Sequence, residues 1–116
     1  MKTIIAGSRS ITCFEAVRGA IEVSGIPISE VVSGTAQGVD SLGEEWARLR
    51  GVPIKRFPAK WGQHGRSAGY KRNAEMADYA DALIACWDGT SKGTKHMIDI
   101  AKTKGLKVFV FRKASE

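Results

Sequence analysis

Proline, cysteine and histidine are scarce in this chain of 116 residues, at 3, 2 and 2 respectively. Cys13 and Cys86 stand 73 positions apart and neither belongs to a CxxC pair, so a disulfide framework and a structural zinc both lack support. A reduced, cytoplasmic protein is the expectation. His64 and His96 have no ligand spacing with each other or with the cysteines, so neither a metal nor a cofactor is expected. No Gly-x-Ser-x-Gly elbow occurs, which leaves a serine, histidine and acid triad unsupported. No apolar run approaches the ~20 residues needed to span a bilayer, and no segment has the layout of a signal peptide, so no membrane partner is expected. The length excludes an eight-fold barrel or a cofactor domain joined to a substrate domain, and it leaves one domain over residues 1–116.

What remains is an ordinary globular composition, 43% apolar and 26% charged, with two departures. Glycine is the first, at 13 residues, or about 11% against a typical ~7%. Charge is the second: residues 1–50 carry 5 basic and 6 acidic side chains, and residues 51–116 carry 13 and 6. The halves are therefore −1 and +7. A basic half suits a phosphate-bearing partner, small nucleotide or nucleic acid, although solvated lysines on helix faces would give the same count.

Five apolar runs have strand length: Thr3–Ala6, Glu30–Ser33, Pro53–Phe57, Ala82–Trp87 and Leu106–Phe111. Between them lie helical spacings, namely Phe14, Val17 and Ile21, then Val39, Leu42, Trp46 and Leu49, then Ser67–Ala80, then Met97, Ile98 and Ala101. Strand and helix alternate with connections long enough to be crossovers. The expected fold is α/β, a doubly wound, mainly parallel five-stranded Rossmann-like sheet with helices on both faces.

The glycines sort by position on that scaffold. Gly25, Gly51 and Gly105 follow helices, where a left-handed residue ends the helix. Gly19 and Gly43 fall inside helical patterns and are expected to allow close packing on the sheet. Gly62, Gly65 and Gly69 share a loop. Gly7, Gly34, Gly38, Gly89 and Gly93 lie just beyond strand carboxyl ends, the edge at which open α/β sheets bind ligands.

Three loops on that edge carry polar chemistry. Residues 33–40, SGTAQGVD, leave the second strand and open a helix, so the amides of Gly38, Val39 and Asp40 would suit a phosphate. The segment is neither a dinucleotide GxGxxG fingerprint nor a Walker A loop, and it would serve equally as a short turn capped by Asp40 or Ser41. Gly7-Ser8-Arg9 follows the first strand, and Arg9 is a planar donor able to grip a phosphate or carboxylate through two hydrogen bonds. Residues 87–94, WDGTSKGT, repeat the logic, with a helix expected to begin near Thr94. A fourth piece, Lys60–Arg72, holds Trp61, His64, Arg66, Tyr70, Lys71 and Arg72 without an acidic residue. Trp61 there is either a stacking surface for a base or a core tryptophan beneath a basic loop. Arg72 and Asn73 occupy consecutive helical positions, about 100° apart, so only one of them is expected to face the cleft.

The order of these motifs, GSR, SGTAQGVD, AGYKRNAEMADYAD and DGTSKGT, resembles the SLOG superfamily of Rossmann-like proteins and within it the small YspA-like group, over nearly the whole chain. SGTAQGVD is also similar to the SGxAxGxD stretch of the DNA-processing protein A. The RN and GT elements resemble those of the Lonely Guy phosphoribohydrolases, which cleave the N-glycosidic bond of nucleoside monophosphates. The resemblance implies a site for a nucleotide or nucleotide derivative built from Gly7, Ser8, Arg9, Ser33, Gly34, Gly38, Asp40, Arg72, Asn73, Gly93 and Thr94. It also makes a homo-oligomer the expected assembly.

One departure bears on activity. The phosphoribohydrolases carry a glutamate three residues after the threonine of a PGGxGTxxE run, and the same count from Thr94 arrives at Met97. The loop between Gly89 and Gly93 is also one residue longer than that run requires. Methionine supplies neither charge nor a useful proton to an oxocarbenium-like transition state. Asp40 and Asp88 are the carboxylates left to act in its place. The expectation is therefore a nucleotide-binding module or sensor. An N-glycoside hydrolase using Asp40 or Asp88 is one alternative, and a single-stranded nucleic-acid binder, whose affinity would fall steeply with salt, is the other.

Overall fold

The five apolar runs become five strands of one sheet. In the computed structural model, which describes residues 1–113 apart from the Arg66 side chain, the chain runs β1 (Lys2–Gly7), α1 (Phe14–Ser24), β2 (Glu30–Ser33), α2 (Val39–Arg50) and β3 (Ile54–Arg56). It continues through α3 (Trp61–His64), a 3-10 turn (Gly65–Ser67), α4 (Ala68–Tyr79), β4 (Ala82–Trp87), α5 (Lys92–Thr103) and β5 (Lys107–Arg112). The strand order is β3-β2-β1-β4-β5 and every pairing is parallel. Strand order reverses between β1 and β4, the switch point at which such sheets open a crevice.

Side-chain alternation assigns the two faces. Ile5, Val31, Ala82, Ile84 and Cys86 face a cluster completed by Val17, Ile21, Val39 and Trp46 from α1 and α2. Ile4, Ala6, Val32, Leu83 and Ala85 face the opposite cluster, with Met76 and Ala77 from α4 and Met97, Ile98 and Ala101 from α5. Covering on both sides explains why β1 and β4 read as continuous apolar runs. Each fully buried isoleucine or leucine contributes roughly 1.5–3 kcal/mol. Gly43 permits this packing, because a Cβ there would lie 2.7 Å from Ile5 Cγ2. Gly19 meets nothing within 4 Å, so the close approach expected of it is absent.

Two element boundaries differ from those expected. The third strand is Ile54–Arg56, shorter than Pro53–Phe57, because it is an edge strand paired with Val31–Ser33 alone. Helix α5 begins at Lys92, earlier than Thr94, since the Asp88 carboxylate already accepts the Thr90 and Ser91 amides and organises the turn before it. The Lys60–Arg72 stretch is a correction of kind. Trp61–His64 is helical and a 3-10 turn leads on into α4, so Gly62 lies within α3 and Gly69 within α4, while Gly65, at φ 55°, marks the break that ends α3. Among the described residues no helix is long and apolar enough to cross a membrane.

Candidate functional site

At the carboxyl edge the loop after β1 is pinned between its neighbours. Gly7 closes the approach of β1 to β4, since a Cβ there would lie 2.1 Å from the Cys86 carbonyl oxygen. Ser8 is buried: its amide donates to Cys86 O at 3.1 Å, and its Oγ accepts the Asp88 amide at 3.1 Å. Gly38 fits against this loop at φ 74°, where a Cβ would lie 2.7 Å from the backbone of Arg9 and from Ser8 O. Ser8 and Gly38 thus shape the edge from beneath, and Arg9 projects from it, exposed.

The loop after β2 is held from within. Ser33 Oγ donates to Glu44 Oε2 at 2.6 Å and accepts the Thr35 amide at 3.1 Å. Glu44 in turn accepts two hydrogen bonds from Arg56, at 3.1 and 2.6 Å. Thr35 is left-handed at φ 63°, an uncommon conformation for a β-branched residue. Asp40, one residue into α2 and only 4% exposed, does not cap its own helix. Its Oδ2 instead accepts the Ala36 amide at 3.3 Å. Burial pushes the Asp40 carboxyl up to about 6, against the opposing pull of the Ala36 amide, the Arg72 guanidinium and the Gly7 amide.

Arg72 reaches across from α4. Its Nη1 donates to the Gly34 carbonyl, and its Nε donates to Asn73 Oδ1 at 3.0 Å. A side chain at position 34 would obstruct this reach, because a Cβ there would lie 2.8 Å from both Arg72 Nη1 and Asp40 Oδ2. Burial lowers the Arg72 pKa, Asp40 opposes that, and the Arg9 cation lowers it further. The guanidinium remains charged at neutral pH. Asn73 is buried and donates to Gly93 O at 3.3 Å, with its Nδ2 also 3.1 Å from His96 Nδ1. The His96 ring packs 4.4 Å, centre to centre, from Tyr70. Arg72 and Asn73 both line the cleft, contrary to the expectation that one of them would turn away. The long arginine folds back along the helix to its neighbour, which the 100° between their Cβ directions does not forbid.

The loop after β4 behaves differently. Asp88 Oδ1 accepts the amides of Thr90 and Ser91, both at 2.8 Å, and Oδ2 lies 3.4 Å from Ser10 Oγ. The Ser91 and Thr90 amides hold this carboxylate down to about 2. Thr94 is buried, with its Oγ1 3.1 Å from Ser91 Oγ.

These loops enclose two adjoining cavities, of about 500 and about 400 Å³. Gly7, Arg9, Asp40, Arg72 and Asn73 line the larger, as do Asp88, Gly93 and Thr94. Gly34 lines the smaller, whereas Ser8, Ser33 and Gly38 line neither and bond or pack within the protein. Met97, 1% exposed, lies in the wall of the larger cavity beside Met76, so the position three residues after Thr94 does face the cleft, without a carboxylate. Trp61 is 53% exposed and lines both cavities, which removes the reading of it as a core tryptophan. Ala36 and Ser91 join the walls unforeseen; their flanking loops were visible in the sequence, but small side chains carry no signal of their own. Arg66 is the one cation of the basic stretch whose side chain lies outside the described residues. Among those residues no group of three or more His, Cys, Asp or Glu gathers as a metal site would require.

The arrangement offers two cations, an aromatic wall and a protonatable carboxyl to a ligand at the switch point. Known proteins carry similar sequences over the same parts. Residues 1–64, which hold both the Arg9 and the Asp40 loops, match the profile of the YspA, cpYpsA-related SLOG family. The Gene 61 protein of Mycobacterium phage D29 is 37% identical over 87 residues, covering 70% of each chain. With more than half of its length matched by the family and a relative at this identity, the chain belongs to the YspA, cpYpsA-related SLOG family.

Proposed function

We propose that this protein binds a phosphate-bearing nucleotide or nucleotide derivative in the cleft at the carboxyl edge of the sheet, as a binding module or sensor. Membership of the SLOG family brings nucleotide-related binding or processing at a general level. The observation that carries the finer reading is the pairing of Arg9 and Arg72 on one cavity wall with the Trp61 and Tyr70 rings beside them. Guanidinium groups grip phosphate oxygens in pairs, and an aromatic face accepts a base without regard to its hydrogen-bonding pattern. Two like charges held close beside a cavity also favour an anion between them.

The test is a thermal-shift panel of nucleoside monophosphates, cyclic nucleotides and ADP-ribose. At least one compound should raise the melting temperature, and Arg72→Ala should abolish the rise while retaining a cooperative melt. A panel without any shift would sink the proposal.

A second reading, hydrolysis of the N-glycosidic bond of a nucleoside monophosphate, draws on Asp40. A buried carboxyl in the cleft with a pKa of about 6 can hold and release a proton near neutral pH. Asp88, ionised down to about 2 and already accepting two amides, is suited to stabilising positive charge and not to proton transfer. Incubation with nucleoside monophosphates should then release free base, and Asp40→Asn should stop the release. Release that continues in this variant would refute the role given to Asp40.

A further inference from the structure

The two cavities differ in lining but share a boundary, and that boundary holds the cations. Arg9, Ala36, Trp61 and Arg72 belong to both. The larger cavity adds Tyr70, Met76 and Met97, surfaces suited to a base. The smaller adds Gly34, Thr35, Gln37, Pro58 and Ala59, all uncharged, of which Thr35 and Gln37 offer side-chain hydrogen bonds, and among the described residues its charged lining is the two shared arginines. Each volume falls within the roughly 300–1,000 Å³ of a small-molecule site. The positive charge therefore sits at the middle of the combined cleft and not at its end.

From this placement, and resting on the nucleotide reading above, we infer that the ligand is a two-part molecule: a nucleoside diphosphate esterified to a neutral sugar, with its base in the larger cavity, its diphosphate bridge at Arg9 and Arg72, and its sugar in the smaller cavity. A nucleoside monophosphate would satisfy the arginines and leave the smaller cavity to water. A triphosphate would bring more negative charge into a cleft that already contains the Asp40 and Asp88 carboxyls. The bridging diphosphate carries two charges, one for each guanidinium, and presents an uncharged group to the uncharged lobe.

Calorimetric titration of the full chain with matched pairs tests this: AMP against ADP-ribose, GMP against GDP-mannose and UMP against UDP-glucose. In at least one pair the sugar-bearing member should bind about tenfold or more tightly than its monophosphate. Ala59→Phe, which fills the smaller cavity alone, should bring the two to within about twofold and leave the monophosphate affinity unchanged. Gln37→Trp, at an exposed position on the same lobe, should do likewise and serves if Ala59→Phe does not fold. Equal affinities in every pair, with binding still lost in Arg72→Ala, would overturn the two-part ligand and leave the nucleotide reading standing. A sugar advantage that survives both cavity-filling variants would also overturn it. Absence of binding by every compound would overturn both.

Discussion

The loops after β2 and after β4 each leave a central part of the sheet, each open a helix, and each bring an aspartate to the same cleft, yet they treat that aspartate in opposite ways. Asp40 is buried and its carboxyl is pushed up to about 6. Asp88 is half-buried and its carboxyl is held down to about 2. The difference lies in amide supply. Two well-placed amides reach one oxygen of Asp88 at 2.8 Å, whereas the amide of Ala36 stands 3.3 Å from Asp40 Oδ2 and too little else offsets the loss of water. One carboxyl fastens a loop; the other is kept ready to change charge. Position after a strand therefore does not set the role of a carboxylate, and local solvation does.

The most forceful way to break the comparison is through glycine. Gly38 holds φ 74° and ψ −126° against the Arg9 and Ser8 backbone, with 2.7 Å left for a Cβ, so Gly38→Ala should cost on the order of 3 kcal/mol in urea denaturation. Gly93, in the first turn of α5, meets nothing within 4 Å. Its alanine variant should be neutral or stabilising by up to ~1 kcal/mol. Similar losses at the two sites would show that the loops are equally constrained.

The next effect is electrostatic. Because the Asp40 value of about 6 lies above its ordinary 3.8, the folded state takes up a proton that the unfolded chain has already released between those values. Wild-type stability should therefore fall as pH rises from about 4 to about 6, by about 1–3 kcal/mol from this group, and level off above. Asp40→Asn should remove that slope while leaving the rest of the pH profile unchanged. Denaturation midpoints at a series of pH values decide the matter, and identical slopes in the two proteins would show that Asp40 is solvated after all.

Much of the fold was legible because its strands are buried on both faces and so appear as unbroken apolar runs, bounded by helix-stopping glycines such as Gly25 at φ 66° and Gly51 at φ 67°. Met97 was legible too, by counting from Thr94, since spacing within a helix is fixed. The Trp61–Ser67 segment was not. Four residues of helix and three of 3-10 turn are too short for periodicity to register, and the two glycines among them, Gly62 and Gly65, argue for a loop. Nor were the placements of Ser8, Ser33 and Gly38, which meet protein atoms because loops distant in sequence pack on one another. The contrast between Asp40 and Asp88 was equally hidden, for burial is a property of the assembled edge.

That contrast has a last and smallest consequence at Asp88 itself. Asp88→Ala removes the acceptor of the Thr90 and Ser91 amides and the neighbour of Ser10 Oγ, so the melting temperature at neutral pH should fall by a few degrees. The depressed value of about 2 makes this contribution present above the ordinary 3.8 and lost as pH falls toward 2, so the gap between wild type and variant should close over that window. The same carboxylate lines the larger cavity, where it repels an incoming phosphate. Its removal should therefore strengthen binding of a phosphate-bearing ligand by about twofold, against the direction of the stability change. A variant that loses stability and affinity together would mean that Asp88 serves the ligand through the loop it fastens, and the division of labour between the two aspartates would have to be redrawn.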